Sequence, residues 1–276
     1  MKVCLMIEGQ EGVTWDHWRA LAAACEESGI DTLFRSDHYL SVEGKRERGS
    51  LDAWTTIAAL GAVTSKLRFG TLVSPVTFRH PSLLAKAVVT ADHVTGGGRI
   101  ELGIGAGWLE AEHEAYGFPF PPTRVRMQML AEQLELVRRE WEEGPFSFEG
   151  EHYTVRELDA LPKPLERPRM LLGGRGGPRS LELAARYADE YNTFHIKADE
   201  CRELRAKLDE ACEREGRDPG SLPLSLMDPV PDRHAAVDQL RELEEAGVTR
   251  VMLQHLDHED LDTVEWIGKE LAPAAA

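Results

Sequence analysis

Apolar positions return along this chain in two alternating rhythms. KVCLMI is a short apolar run bounded by Glu8 and Gly9, and from Trp15 to about Glu27 the apolar residues recur at helical spacing until Gly29 stops them. The pair then repeats. TLFRS leads, across the polar loop SVEGKRERGS, into DAWTTIAALGAVT; RFGTLVS leads into PSLLAKAVVTADHVT; RIELGI leads into RVRMQMLAEQLELVRREW. Between Glu143 and Pro168 the rhythm breaks, because GPFSFEGEHYTV alternates about a central turn and predicts a hairpin, while LPKPLERP is a proline-punctuated connector. Alternation resumes with MLLGG and SLELAARYAD, YNTFHI and CRELRAKLDEACEREG, LPLSLM and HAAVDQLRELEEAG, then RVMLQHL and DTVEWIGKEL.

The pattern gives eight strands and eight major helices. Short strands rich in Val, Leu and Ile, each followed by a helix, predict an α/β fold closed into a (β/α)8 TIM barrel. It is expected to run as a single domain over 1–276, with a small insertion at about 143–168 that carries the hairpin between the fourth helix and the fifth strand. The competitor is an open doubly wound sheet, which uses about five to seven strands and one dominant phosphate loop. Here polar or glycine-rich residues follow many different strands, which favours the barrel.

Charge narrows the partners. Basic and acidic totals of 32 and 48 leave 32 − 48 = −16, so the surface repels phosphate backbones and no nucleic-acid partner is expected. The four cysteines Cys4, Cys25, Cys201 and Cys212 have no CxxC spacing, and Cys4 in a strand reads as an inert buried thiol. The N-terminus turns polar too soon for a signal peptide and no apolar run approaches ~18 residues, so a cytoplasmic protein with no membrane partner is expected. Histidines including His80, His93, His113, His152, His195, His255 and His258 lack HExxH or paired-carboxylate spacing, and no metal is expected.

In such a barrel the chemistry lies where strands run into their helices. Four places carry suitable residues. SDHY places Asp37 and His38 over the mouth, where His38 can carry a proton near neutral pH; the same dipeptide also serves as a satisfied pair capping a loop. TLVSPVTFRHP crowds Ser74, Phe78, Arg79 and His80 before a helix that Pro81 starts, which is equally what loop rigidity requires. GIGAGW brings Gly105, Ala106 and Gly107 to a strand end beside the flat surface of Trp108, although glycines also relieve crowding at barrel corners. LLGGRGGPRS is the sharpest signal: Gly173, Gly174, Gly176 and Gly177 permit a tight turn that aims helix-start amides at an anion, with Arg175, Arg179 and the Ser180 hydroxyl alongside. A phosphate fits that description. No Lys-Ser/Thr pair follows either glycine cluster, and GIGAGW ends in Trp108 where a dinucleotide fingerprint has a small residue, so triphosphates and dinucleotides fit poorly. Trp54, Phe78, Trp108 and Tyr116 are candidates to line an apolar substrate pocket, or simply to pack. With no GxSxG elbow and no metal motif, a bound organic cofactor is the expected reactive group.

Taken in order, SDHY, GTLVSPVTFRHP, GRIELGIGAGW, the ExxxYG segment Glu112 to Gly117, GPFSFEGEHYTV and LLGGRGGPRSLELAARYADEYN resemble the bacterial luciferase-like flavin and deazaflavin oxidoreductases, over nearly the whole chain. The branch that looks most similar uses coenzyme F420, with FMN-dependent monooxygenases as the alternative and a non-catalytic flavin-binding protein as another. The resemblance implies a homodimer acting on a small molecule. It also implies that His38, accompanied by Asp37, faces the reactive edge of the cofactor ring, that Gly105 to Gly107 lie near the ring or its ribityl chain, and that Gly173 to Gly177 hold the phosphate. Many members have a non-prolyl cis peptide after the third strand; its transfer to Val73–Ser74 is open. Trp108 replaces the proton-donating glutamate of the sugar-phosphate dehydrogenases, which disfavours glucose 6-phosphate. The short span from Asp228 to His234 leaves no room for the mobile loop of the light emitters. The basic residues Lys45, Arg46 and Arg48 are candidates to meet the acidic tail of F420, or belong to a solvated loop.

Overall fold

The computed structural model describes residues 1–275. In chain order the elements are β1 (Lys2–Ile7), α1 (Trp15–Ser28), β2 (Thr32–Arg35), α2 (Ala53–Val63), β3 (Arg68–Thr71), β4 (Ser74–Pro75), α3 (Pro81–Thr95), β5 (Ile100–Gly105), α4 (Glu110–Tyr116) and α5 (Thr123–Trp141). They continue as β6 (Phe146–Glu149), β7 (Thr154–Leu158), β8 (Arg169–Gly173), α6 (Pro178–Tyr187), β9 (Glu190–Phe194), α7 (Ala198–Arg214), β10 (Leu224–Pro229), α8 (Ala236–Glu245), β11 (Val248–Gln254) and α9 (Leu261–Trp266).

Eight of these strands run parallel in the order β3–β2–β1–β11–β10–β9–β8–β5, and pairing of β3 with β5 closes the ring. Alternation along β1 shows how the closed sheet divides its side chains. Val3, Leu5 and Ile7 pack outward with the helices, whereas Cys4 and Met6 join Phe34, Leu72, Leu171 and Met252 inside the barrel. Burial pushes the Cys4 thiol up to about 12, as an inert core cysteine requires.

The helices begin and end for local reasons. Thr14 caps α1 and Gly29 ends it in the left-handed region; Asp52 accepts the Thr55 amide at the start of α2; Pro81 opens α3. Strands β6 and β7 form the expected antiparallel hairpin between α5 and β8. Its turn is held by the Glu132 carboxylate, which accepts the amides of Glu151 at 2.7 Å and Tyr153 at 3.0 Å. Among the described residues, no helix is long and apolar enough to cross a membrane.

Candidate functional site

The strand ends converge at one mouth, and the sharpest feature there follows β3. The Leu72–Val73 peptide bond is cis, one residue before the bond left open by the sequence, and β4 then pairs with β5 at Ile104 and Gly105. Val73 turns into space that missing side chains leave free. A Cβ on Gly105 would come within 2.8 Å of Val73 Cγ2, and one on Gly173 within 2.9 Å of Val73 Cγ1. Both glycines were expected to admit a cofactor; the group they admit here is Val73.

His38 stands after β2 with 15% of its side chain exposed, and its Nδ1 lies 2.9 Å from Glu112 Oε2. The other oxygen of Glu112 accepts the backbone amides of Tyr39 and Leu40, the latter at 3.0 Å. The edge of Trp108 meets the imidazole with centroids 5.8 Å apart, and Trp108 itself is 64% exposed. Burial pushes the His38 pKa down, but the hydrogen bond and charge of Glu112, with help from Glu8 and Asp37, more than offset it, so the ring titrates above its ordinary value.

Asp37 has different partners. It is buried, and its carboxylate accepts from Arg79 Nη1 at 2.5 Å and from Ser74 Oγ at 2.6 Å. Arg79 also reaches Asp52 at 2.6 Å and the Tyr39 hydroxyl at 2.9 Å. Ser74 in turn accepts from Trp54 Nε1 at 3.1 Å, so Trp54, buried in α2, supports Ser74 from behind. The sequence paired His38 with Asp37; the structure pairs His38 with Glu112 and makes Asp37 the anchor of its loop. Phe78 stacks on Tyr39 at 5.2 Å, and Tyr116, 52% exposed, extends this aromatic wall toward solvent.

The glycine loop after β8 divides its groups. The Gly174 amide bonds Asn192 O at 3.0 Å, the Gly176 amide bonds the Tyr191 hydroxyl at 2.8 Å, and Ser180 Oγ lies between Gly177 O at 2.8 Å and that same hydroxyl at 3.1 Å. What stays available is the start of α6. Gly177 is its N-cap, no side chain caps it, and Arg175 lies beside it with its guanidinium 4.0 Å over the Phe194 ring. Gly107 has φ +79°, a conformation only glycine adopts readily, and follows half-buried Ala106 at the end of β5.

Two other groupings resolve otherwise than a ligand site needs. Lys45 pairs with Glu43 at 2.7 Å and Arg48 with Glu11 at 2.6 Å, so two members of the basic cluster are neutralised. His17, His258 and Glu259 bring one ligand atom each within 4.8 Å of one another. Yet His17 Nδ1 accepts the Thr14 amide at 3.4 Å, which leaves the ring proton on Nε2, facing Glu259 at 3.6 Å. Within the trio, His17 and His258 meet as tilted rings with centroids 4.7 Å apart.

Glu112 escaped the site reading, although its segment contributed to the resemblance. The usable signal was an acid in the first turn of the short helix α4, just after the glycine run. The polar cluster after β1, β9 and β11 was also missed: Gln254 donates to Glu8 at 2.6 Å, Gln10 donates to Glu8 at 2.9 Å, and His195 Nε2 lies 3.3 Å from Gln254 Oε1.

The barrel has counterparts among known proteins. The model of the luciferase-like monooxygenases matches residues 2–244. The chain belongs to that family. An uncharacterised protein of Mycobacterium tuberculosis is 32% identical over 238 residues, 85% of this chain and 80% of that protein. The F420-dependent glucose-6-phosphate dehydrogenase of Kineococcus radiotolerans is 34% identical over 175 residues, 62% of this chain and 50% of that protein. The chain therefore aligns with only half of that luciferase-like relative. The solved structure of an F420-dependent secondary alcohol dehydrogenase, in complex with an F420-acetone adduct, superposes with a TM-score of 0.86 at 19% identity over 100% of both chains. At that identity the likeness speaks for the fold.

Proposed function

We propose that this protein is an F420-dependent oxidoreductase that exchanges a hydride between the deazaflavin and a small organic substrate, with His38 handling the accompanying proton. The observation that carries this reading is the His38 imidazole at the barrel mouth, backed at 2.9 Å by a buried carboxylate. Such a group is suited to proton transfer near neutral pH.

The residues present fit the cofactor. A phosphate needs free amides and positive charge, and the uncapped start of α6 with Arg175 offers both. A Cβ on Gly177 would meet nothing closer than Ser180 Oγ at 3.9 Å, so the approach to that helix end is open. Gly177, Arg175 and the first-turn amides of α6 would hold the phosphate, and Ala106 with Gly107 would flank the ring system. When bound, the deazaflavin supplies a carbon centre that takes or gives hydride. The chain's own part is to orient the substrate against Trp108, Phe78 and Tyr116 and to move a proton at His38.

Parallel fluorescence titration with F420 and FMN tests the cofactor, and tighter binding of F420 is the expected result. Tighter binding of FMN would favour the monooxygenase reading. Screening small alcohols and aldehydes by the F420 absorbance then tests the chemistry. His38→Ala should keep F420 affinity but lose roughly 100-fold or more in turnover; unchanged turnover would remove His38 from the mechanism.

A further inference from the structure

Glu112 is fully buried, and its two oxygens have separate tasks. Oε1 accepts from the Tyr39 and Leu40 amides, both fixed by the backbone of the loop that carries His38. With Oε1 held in this way, Oε2 cannot swing from the imidazole, and it stays 2.9 Å from Nδ1. A carboxylate only accepts hydrogen bonds, so this contact requires a proton on Nδ1. In the neutral ring the lone pair is then on Nε2.

We propose that Glu112 is the positioning residue of the site, locking His38 as the Nδ1–H tautomer so that Nε2 is the atom that exchanges a proton with substrate. The use of Nε2 rests on the oxidoreductase reading; the tautomer does not. The charged groups that face the ring are Glu112 from α4, Glu8 from the segment after β1, and Asp37 on its own loop, the last already paired with Arg79. Trp108 closes its edge from the segment after β5. Burial opposes a charge on this ring, and Glu112 is the largest group acting the other way. A pKa above the ordinary 6.5 follows, and it depends on Glu112.

The test needs neither cofactor nor substrate. Nitrogen-15 NMR of the full chain with labelled histidine, assigned with His38→Asn, reports tautomer and titration together. Wild type should show His38 as the Nδ1–H tautomer with a pKa above 6.5. Glu112→Gln, which keeps an acceptor but removes the charge, should lower the proton affinity of His38 roughly tenfold, about one unit. An Nε2–H tautomer in wild type overturns the proposal without any variant. So does an unchanged His38 titration in Glu112→Gln that circular dichroism shows to be folded. Titration of the same proteins with F420 is read separately: failure to bind it would sink the cofactor reading and leave the histidine result to stand alone. With F420 and an accepted substrate, the pH profile of turnover in Glu112→Gln should move in the same direction as the NMR titration.

Discussion

Arg79 holds the mouth together. Its guanidinium neutralises Asp37 and Asp52 and reaches the Tyr39 hydroxyl, so three residues of the His38 loop and its neighbour share one cation. Arg79→Ala would leave the buried Asp37 carboxylate with the Ser74 hydroxyl as its remaining side-chain donor. Removing one partner of such a pair costs about 3–5 kcal/mol, and urea denaturation should show the loss. Arg79→Lys should recover only part of it, because a compact ammonium lacks the planar fork of donors that spans Asp37, Asp52 and the Tyr39 hydroxyl together. Burial raises the Asp52 carboxyl, but the Thr55 amide and Arg79 bring it below its ordinary 3.8. Its contribution to stability is therefore present above that pH and lost as the pH falls through the folded value. Sequence showed that Asp37 and His38 share a loop but not that they would separate. Neighbouring side chains point apart, and the partners that claimed them lie 42 and 74 residues away. Spacing along a chain carries no trace of such contacts.

Glycine clusters at strand ends were visible in the sequence, but what fills the space beside each one was not. On β5 and β8 the answer is Val73, which gives a test by double mutation. Gly105→Ala would drive its Cβ against Val73, at a cost of about 1–3 kcal/mol. In a Val73→Ala background the same change should cost much less, and the coupling read from urea curves reports the contact. Gly103→Ala should not be rescued this way, because there the Cβ would come within 2.0 Å of the Thr71 carbonyl oxygen. On the loop before α6 two glycines behave differently. Gly176 has φ +75° and its Cβ would meet Leu204 at 2.7 Å, so Gly176→Val should destabilise the fold. Gly177 has φ −66° and open space, so Gly177→Val should weaken F420 binding tenfold or more while the melting temperature stays within about 2 °C. Equal F420 affinity in Gly177→Val would show that this helix start does not receive the phosphate.

At the scale of the whole barrel, strand number, helix number and the hairpin were legible because each depends on local periodicity. The interior was less so, because a closed parallel sheet buries both faces of every strand, and a charged residue that alternation assigns to solvent can face inward. Glu101, Glu190 and Arg250 do so, from β5, β9 and β11. Arg250 bonds Glu101 Oε1 at 3.1 Å and Oε2 at 2.6 Å, and Glu190 at 3.1 Å. One cation thus ties three non-adjacent strands across the end of the barrel opposite the mouth. Burial pushes the Glu101 carboxyl up, but the charge and hydrogen bonds of Arg250, with Arg68, bring it below the ordinary 4.5. Glu101 thus adds stability above that pH and loses it as the pH falls through the folded value. Arg250→Met leaves Glu101 with Arg68 at 3.2 Å and Glu190 with Arg169 at 3.0 Å but removes the cation they share, so burial then pushes both carboxyls upward and the cost of keeping them charged grows as the pH rises. The variant should lose about 3–5 kcal/mol at pH 7. Measured by urea unfolding at about pH 5, where protonation of the two carboxyls is favoured more than at pH 7, the loss should be smaller. A cost equal at both values would mean that Arg250 matters through its packing against Phe34, with ring centroid and guanidinium carbon 5.0 Å apart, and that its charge contributes little to closing the barrel.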